Sequence, residues 1–149
     1  MTFTIRDENP RTTTYAHELA LAFAFESGWI CMADRPAAYL NSPARPLLEK
    51  IEAAWDQIHF IDGFPGEYFC VARCKAGKWF VAGINGGQKR RIKVPLSFLD
   101  KGQHTITLYA DKEGNELHDV RIETFSEISE KEVLEIDVLP HGGFVLDID

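Results

Sequence analysis

The spacing of apolar positions changes near residue 60 and divides the chain into a helix-forming and a strand-forming part. Residues Met1 to Ile5 alternate threonine with apolar side chains, the pattern of a short strand or of its end. The polar stretch Arg6-Asp7-Glu8-Asn9-Pro10 follows as a loop. Thr12, Thr13 and Thr14 offer hydroxyls as helix caps, and the spacing predicts a helix over about Tyr15–Ser27 with Gly28 as its stop. Leu19 and Phe23 share one face of that helix, and Leu21 and Phe25 share another. A helix apolar nearly all round needs enclosure, and a small chain that is otherwise mostly sheet has little with which to enclose it. Asp34–Leu40 predicts a short second helix. Ser42-Pro43 reads as the start of a third, with Leu47, Leu48, Ile51, Ala54, Trp55 and Ile58 on one stripe and Glu49, Lys50, Glu52 and Asp56 facing solvent.

Beyond residue 58 short apolar runs alternate with turn residues. Strands are predicted near His59–Asp62, Tyr68–Cys74, Trp79–Ile84, Arg90–Pro95, His104–Ala110, Leu117–Phe125, Val133–Leu139 and Phe144–Ile148. Gly, Pro, Asn or Asp occupies each break, where a fixed or positive φ is needed. Seven or eight short strands at this spacing predict a mainly β chain, an antiparallel β-sandwich preceded by an α-helical N-terminal segment. Ile106, Leu108 and Ala110 alternate with Thr105, Thr107 and Tyr109, as in a sheet with one buried and one wet face.

Composition supports that division. Residues 1–60 hold ten Ala and no Val, whereas residues 61–149 hold four Ala and seven Val. The balance of 16 basic against 23 acidic residues gives a net charge of −7, which argues against a polyanion ligand such as nucleic acid. The longest strictly apolar run, Leu19 to Phe25, is far short of the about 20 residues of a bilayer span. Thr-Phe-Thr-Ile-Arg-Asp-Glu after Met1 reads as no secretory leader. Cys31, Cys70 and Cys74 are too scattered for a disulfide framework. On a strand, Cys70 and Cys74 would face one way about 13 Å apart, as free and partly buried thiols.

The search for chemistry is mostly negative. No GxSxG, P-loop, GxGxxG after a strand, HExxH or EF-hand loop is present. His17-Glu18 is half of a metalloprotease pair, but Leu21 stands where the second histidine belongs. His59, His104, His118 and His141 are scattered over strands and turns. Lys89-Arg90-Arg91-Ile92-Lys93 lacks interleaved aromatics and reads as a solvated strand edge. Glu18, Glu26, Asp62 and Glu67 show no spacing that singles out an acid and a base for glycoside hydrolysis.

Arg11-Thr-Thr-Thr-Tyr-Ala-His-Glu-Leu-Ala-Leu21, Phe25-Glu-Ser-Gly28 and Met32-Ala-Asp-Arg-Pro36 nevertheless form a recognisable series. It continues in Phe60-Ile-Asp-Gly-Phe-Pro-Gly-Glu-Tyr68, Ala72-Arg73, Trp79-Phe-Val-Ala-Gly-Ile-Asn-Gly86, Leu96-Ser-Phe-Leu99, Leu108-Tyr-Ala-Asp111 and His141-Gly-Gly-Phe144. Together these stretches resemble the C-terminal end of glycoside hydrolase family 97. The resemblance implies a parent of calcium-dependent α-glucosidase or α-galactosidase type, mostly from Bacteroidetes and periplasmic. Its parts would be an N-terminal super-sandwich, a catalytic (β/α)8 barrel and a C-terminal β-sandwich.

On that resemblance, residues 1–58 would be the last barrel strand, the last barrel helix and a connection, and residues 59–149 the C-terminal sandwich. The chain would support the barrel, its main partner, and be inactive alone. The family's catalytic carboxylates and calcium-binding glutamates lie upstream, and no position here matches them. The loop Arg6, Asp7, Glu8 and Asn9 would border the substrate, because barrel enzymes work at the C-terminal ends of their strands. Two other readings stay open. One is a stand-alone carbohydrate-binding module using Trp29, Trp55, Trp79, Tyr39, Tyr68 or Tyr109. The other is a homo-oligomer formed through the apolar helix.

Overall fold

The computed structural model describes residues 1–4 and 11–149. Three helices come first: α1 (Tyr15–Ala24), α2 (Pro36–Leu40) and α3 (Arg45–Leu48). Eight strands follow: β1 (Gln57–Phe64), β2 (Tyr68–Lys75), β3 (Lys78–Asn85), β4 (Arg90–Pro95), β5 (Gln103–Asp111), β6 (Val120–Ser129), β7 (Val133–Val138) and β8 (Gly143–Ile148). Six of them form one antiparallel sheet in the order β1-β2-β3-β8-β5-β6, and β4 pairs with β7 in a second. The predicted β-sandwich with a helical N-terminal segment is what the chain adopts.

The large sheet separates two cores. On one face Cys70, Ala72, Val81, Ile106, Phe144 and Leu146 meet Ile92, Val94, Ile136 and Val138 of the two-stranded sheet. On the other face Phe80, Ala82, Tyr109 and Val145 meet Leu19, Ala20 and Phe23 of α1. The alternation in β5 therefore has two buried sides at its end, with Ala110 under the ribbon and Tyr109 under the helix. Strand β8 lies mid-sheet and all six of its residues are buried. Gly83 is opposite Phe144, and a Cβ on it would stand 2.1 Å from the Phe144 ring. The ring occupies the space that the missing side chain leaves.

The basic run Lys89–Lys93 is a solvated strand, as its sequence suggests. Arg91 faces Asp137 at 2.7 Å and Lys93 faces Glu135 at 3.2 Å across the β4–β7 ladder. Such exposed cross-strand pairs fix register more than they add stability.

Three expectations need correction. The described residues 1–4 form no strand; their amides go to side chains instead. The first helix ends at Ala24, not Ser27. Arg73, buried, donates to the Ala24 carbonyl at 2.8 Å and reaches Glu26 at 3.3 Å, so the helix terminus is held from the sheet. The third predicted helix shrinks to Arg45–Leu48. Ser42 still accepts the Ala44 N–H at 3.0 Å, but Trp55 leaves the helical path to pack against Phe23 and Phe80, at 6.0 and 5.7 Å between ring centroids. Ile58 belongs to β1 opposite Arg73. Tertiary burial of one tryptophan outweighs an i, i+4 pattern with no further cap.

Asp111, at the end of β5 and buried, joins the two cores. Its Oδ1 accepts from the Thr14 hydroxyl at 2.6 Å and from the Gly143 N–H at 3.3 Å, and its Oδ2 accepts from the Leu139 N–H at 2.9 Å. Thr14 is the N-cap of α1, accepting the His17 N–H at 3.0 Å. The Thr14 N–H in turn donates to His141 O at 3.0 Å, and His17 Nδ1 lies 3.0 Å from Gly142 O. One carboxylate thus ties the helix start to the β7–β8 turn. Gly142 and Gly143 permit this approach, since a Cβ would stand 2.1 Å from Asp111 Oδ2 and 2.8 Å from His17 Cα respectively.

Burial pushes the Asp111 carboxyl up, against the bonds from Thr14, Leu139 and Gly143 and the nearby His17. A raised folded value means the native state holds this proton more tightly than the unfolded chain. Stability from this group is therefore greatest below the ordinary carboxylate value and declines as pH rises through the raised one. The stability difference between the protein and Asp111→Asn should fall across that window in denaturant titrations at stepped pH; a difference independent of pH would contradict it. Gly83→Ala should cost about 1–3 kcal/mol through overpacking against Phe144, read as a lower denaturant midpoint, and an unchanged midpoint would show that Phe144 has another place to go.

Candidate functional site

The predicted substrate-proximal residues Arg6, Asp7, Glu8 and Asn9 lie outside the described residues. Both roots of their loop are within them, and both are held by polar side chains. On the N-terminal side Asp34 Oδ2 accepts the Phe3 and Thr4 N–H groups, each at 2.7 Å, and the Thr2 hydroxyl at 2.9 Å. Glu18, buried on α1, accepts the Thr2 N–H at 3.3 Å and the Thr13 hydroxyl at 2.7 Å. Tyr39 donates to Met1 O at 3.0 Å and accepts the Asp34 N–H at 2.8 Å. On the C-terminal side Arg11 donates to Thr13 O at 2.9 Å, to Phe3 O at 3.0 Å and to Leu117 O. Residues 2–4 and 11–14 are thereby fixed to each other and to α1.

This frame has a clear electrostatic character. Burial alone would raise the Asp34 carboxyl, but bonds from Thr4, Thr2 and Phe3 outweigh it and hold the group well below the usual carboxylate range. Burial lowers the Arg11 guanidinium, opposed by Glu18, Tyr15 and Asp34. Asp34 is consequently a fixed anion devoted to backbone amides, not an acid or base free to exchange protons. Glu18 and Asp111 likewise spend their oxygens on amide and hydroxyl donors. Sequence reasoning missed Asp34, Arg11 and Asp111 as a set, because their partners lie up to 106 residues away.

Alongside the frame lies an apolar face. α1 leaves His17, Leu21 and Phe25 at four-residue intervals along its uncovered line. His17 borders a groove of ≈ 530 Å³ with Phe60, Phe64, Phe69, Ile84 and the Pro65-Gly66 turn. Leu21 and Phe25 border a second hollow of ≈ 240 Å³ with Met1, Trp29 and Ile30. Phe25 is 56% exposed, Trp29 85% and Met32 44%. Phe25 and Trp29 border the same hollow, so large exposed apolar side chains are grouped there. The remainder of α1 is already enclosed by the sheet and by residues 1–4, so its apolar body is not an open face for self-association.

The groove rim explains the Asp62–Tyr68 and Ile84–Gly86 stretches. Asp62 accepts the Tyr68 hydroxyl at 2.9 Å and the Gly63 N–H at 2.8 Å, closing the β1–β2 turn, in which Gly66 has φ +82°. Asn85, fully buried, donates to Gln88 O and Leu139 O and accepts from Gly87 and Arg90. Arg90 lies 4.1 Å over the Tyr68 ring and 3.0 Å from Glu67.

The six aromatic candidates for sugar stacking fare differently. Trp55 and Tyr109 are buried, Trp79 packs on Phe98 at 4.9 Å, and Tyr39 and Tyr68 are tied as described. Trp29 alone of these presents most of its ring to solvent. A third, polar hollow of ≈ 450 Å³ is lined by Lys89, Asp111, Lys112, Glu113, Arg121, Asp137 and Leu139, and its lysines and arginine are paired with neighbouring carboxylates. Cys70 and Cys74 are free and buried, and burial, with the charge of Asp62, pushes the Cys70 thiol up to about 12, leaving it protonated and inert. Calcium takes six to eight oxygen ligands, and among the described residues no three His, Cys, Asp or Glu side chains are grouped to hold a metal. No helix among them is long and apolar enough to cross a membrane.

Comparison with known proteins gives this geometry its context. The family model described as the glycosyl-hydrolase 97 C-terminal, oligomerisation domain matches residues 54–149, which include all eight strands. A retaining α-galactosidase of Bacteroides thetaiotaomicron is 34% identical over 140 residues, covering 91% of this chain and 21% of that protein. A probable retaining α-galactosidase of Streptomyces bingchenggensis is 32% identical, covering 93% and 21%. The structure of a glycoside hydrolase family 97 enzyme from Pseudoalteromonas sp. strain K8, in complex with acarbose, superposes with a TM-score of 0.86 at 27% identity, covering 95% of this chain and 23% of that one. The chain spans about one fifth of the length of the curated relatives it matches. With its eight strands inside the matched segment and its helical part aligned as well, the chain belongs to glycoside hydrolase family 97 and corresponds to that family's C-terminal part.

Proposed function

We propose that the chain acts as the C-terminal support of a family 97 α-glycosidase, docking on the catalytic barrel through its helical side and supplying no catalytic carboxylate itself. The observation that carries this reading is the apolar face of Leu21, Phe25 and Trp29 beside the polar frame of Asp34, Glu18 and Arg11. A barrel packing on the apolar face would leave the frame to aim the Arg6–Asn9 loop toward the substrate. The buried or half-buried carboxylates Glu18, Asp34, Asp111 and Asp147 all hold amides, hydroxyls or Lys50, which suits a supporting role. The two curated relatives favour an α-galactoside as the substrate of the whole enzyme. Calcium would belong to the barrel.

The reading frame upstream of the Met1 codon tests the proposal: an open frame encoding a barrel with acidic strand ends is expected, and a stop codon with a ribosome-binding site overturns it. The purified chain should not hydrolyse an aryl α-galactoside or α-glucoside. Turnover that co-purifies with the chain through successive columns would count against a purely supporting role.

A sharper outcome separates docking from folding. Phe25→Lys with Trp29→Lys should lower the melting temperature of the enzyme carrying this chain by several degrees, while the chain alone unfolds as before; equal melting temperatures for the two enzymes would remove the docking face. In the same enzyme Asp34→Ala should speed hydrogen exchange at the Phe3 and Thr4 amides and raise KM more than it lowers kcat. Unchanged exchange would show that the frame does not hold the loop.

A further inference from the structure

The two apolar hollows lie at opposite ends of α1 and share no residue. The smaller, with Phe25 and Trp29, is at the helix C-terminus. The larger, of ≈ 530 Å³, opens at the first turn of α1, beside the frame that fixes residues 11–14. Phe69 and Ile84 form its floor, and Phe60 and Phe64, 59% and 61% exposed, form one wall. Besides Tyr68, whose hydroxyl is committed to Asp62, two polar side chains line the groove, His17 and Glu67. His17 Nδ1 lies 3.0 Å from Gly142 O, and a carbonyl only accepts. Nδ1 therefore carries the hydrogen, and Nε2 of the neutral ring is an acceptor with no partner among the described residues. Glu67 gives Oε2 to Arg90 at 3.0 Å, and its Oε1 accepts from no described residue.

We propose that this groove binds a neutral sugar ring, with the C–H face of the ring on Phe60 and Phe64 and its hydroxyls donating to His17 Nε2 and Glu67 Oε1. Charge chooses the class of ligand. No lysine or arginine lines the groove, and Arg90 beside Glu67 offsets the one negative charge there. Neither an anion nor a cation meets an uncompensated opposite charge, so the occupant is neutral. Hydrogen bonding narrows the choice. An apolar side chain from a covering protein would leave two acceptors without donors, which costs their desolvation. A sugar brings hydroxyl donors at its rim. The weakly positive C–H groups over its face suit the negative face of an aromatic ring. The volume also lies in the range of small-ligand sites, about 300–1,000 Å³, whose walls are mostly apolar with a few placed polar groups. The docking face at Phe25 and Trp29 uses none of these residues.

This inference rests on the groove itself and not on the docking of the barrel. Titration of the full 149-residue chain with melibiose, an α-galactosyl disaccharide, tests it through amide NMR shifts. Saturable shifts at Phe69, Ile84 and Gly86 are expected in the millimolar range. Phe60→Ala should weaken the affinity about fivefold, and Trp29→Ala should leave it unchanged. In the unaltered chain, magnetisation should pass from aromatic ring protons to the sugar C–H protons, a readout that does not depend on a variant folding. Absent shifts at the groove, an affinity indifferent to Phe60→Ala, one lost in Trp29→Ala, or equal shifts with choline as a cation overturns the site. Groove amides that exchange freely in the chain alone but are protected in the whole enzyme would place a protein surface there and overturn it as well. Absent shifts with an open upstream frame defeat this inference alone, whereas an upstream stop codon defeats the glycosidase reading and leaves the groove to its own titration.

Discussion

Leu19, Phe23 and the alanines make α1 apolar nearly all round, with the line of His17, Leu21 and Phe25 left uncovered. Everything around it answers that constraint. The sheet meets it with Phe80, Ala82, Tyr109 and Val145, and the strap of residues 1–4 covers the outside with Phe3 stacked on Tyr15 at 4.1 Å between ring centroids. Enclosure requires polar groups at each end of the helix to be satisfied as well. Asp111 and the β7–β8 turn do so at the N-terminus, and Arg73 does so at the C-terminus. The helix is held by charged side chains anchored in strands, so the helical segment and the sandwich are one cooperative body.

Most of the strand architecture was legible in the sequence. Period-two alternation, with Gly, Pro, Asn or Asp at each break, located all eight strands, because turn chemistry is local and side chains in a sheet point alternately to its faces. The third helix is shorter than its pattern because the apolar stripe continues past the point where Trp55 is drawn into the core against Phe23 and Phe80. Nothing local distinguishes a stripe that faces a sheet from one that has already left the helix. Met1–Ile5 alternates like a strand, yet its described residues use Asp34 and Glu18 as acceptors in place of a neighbouring chain.

The site was less legible than the fold. Asp111 looks like any acidic residue ending a strand, and its partners Thr14, Leu139 and Gly143 lie up to 97 residues away. The stretches that carried the family resemblance explain themselves once seen together. Asp111, Asn85, Gly83 and Gly143 are set around the β7–β8 turn, where helix and sheet converge. They are held by geometry, since a Cβ at Gly83 or Gly142 has no space. The apolar face, by contrast, is visible only when Phe25 and Trp29 are found on one hollow with Met1 and Leu21.

The position of β8 has a consequence for how the protein is made. The last strand in the chain is the one that lies between β3 and β5. While synthesis proceeds, β1–β3 and β5–β6 are two separate antiparallel units with no hydrogen bond between them, and α1 has only part of its floor. Both cores close only after residues 143–148 emerge from the ribosome. Until then the helix and the two half-built sheets keep apolar surface uncovered, the condition in which folding intermediates are prone to aggregate.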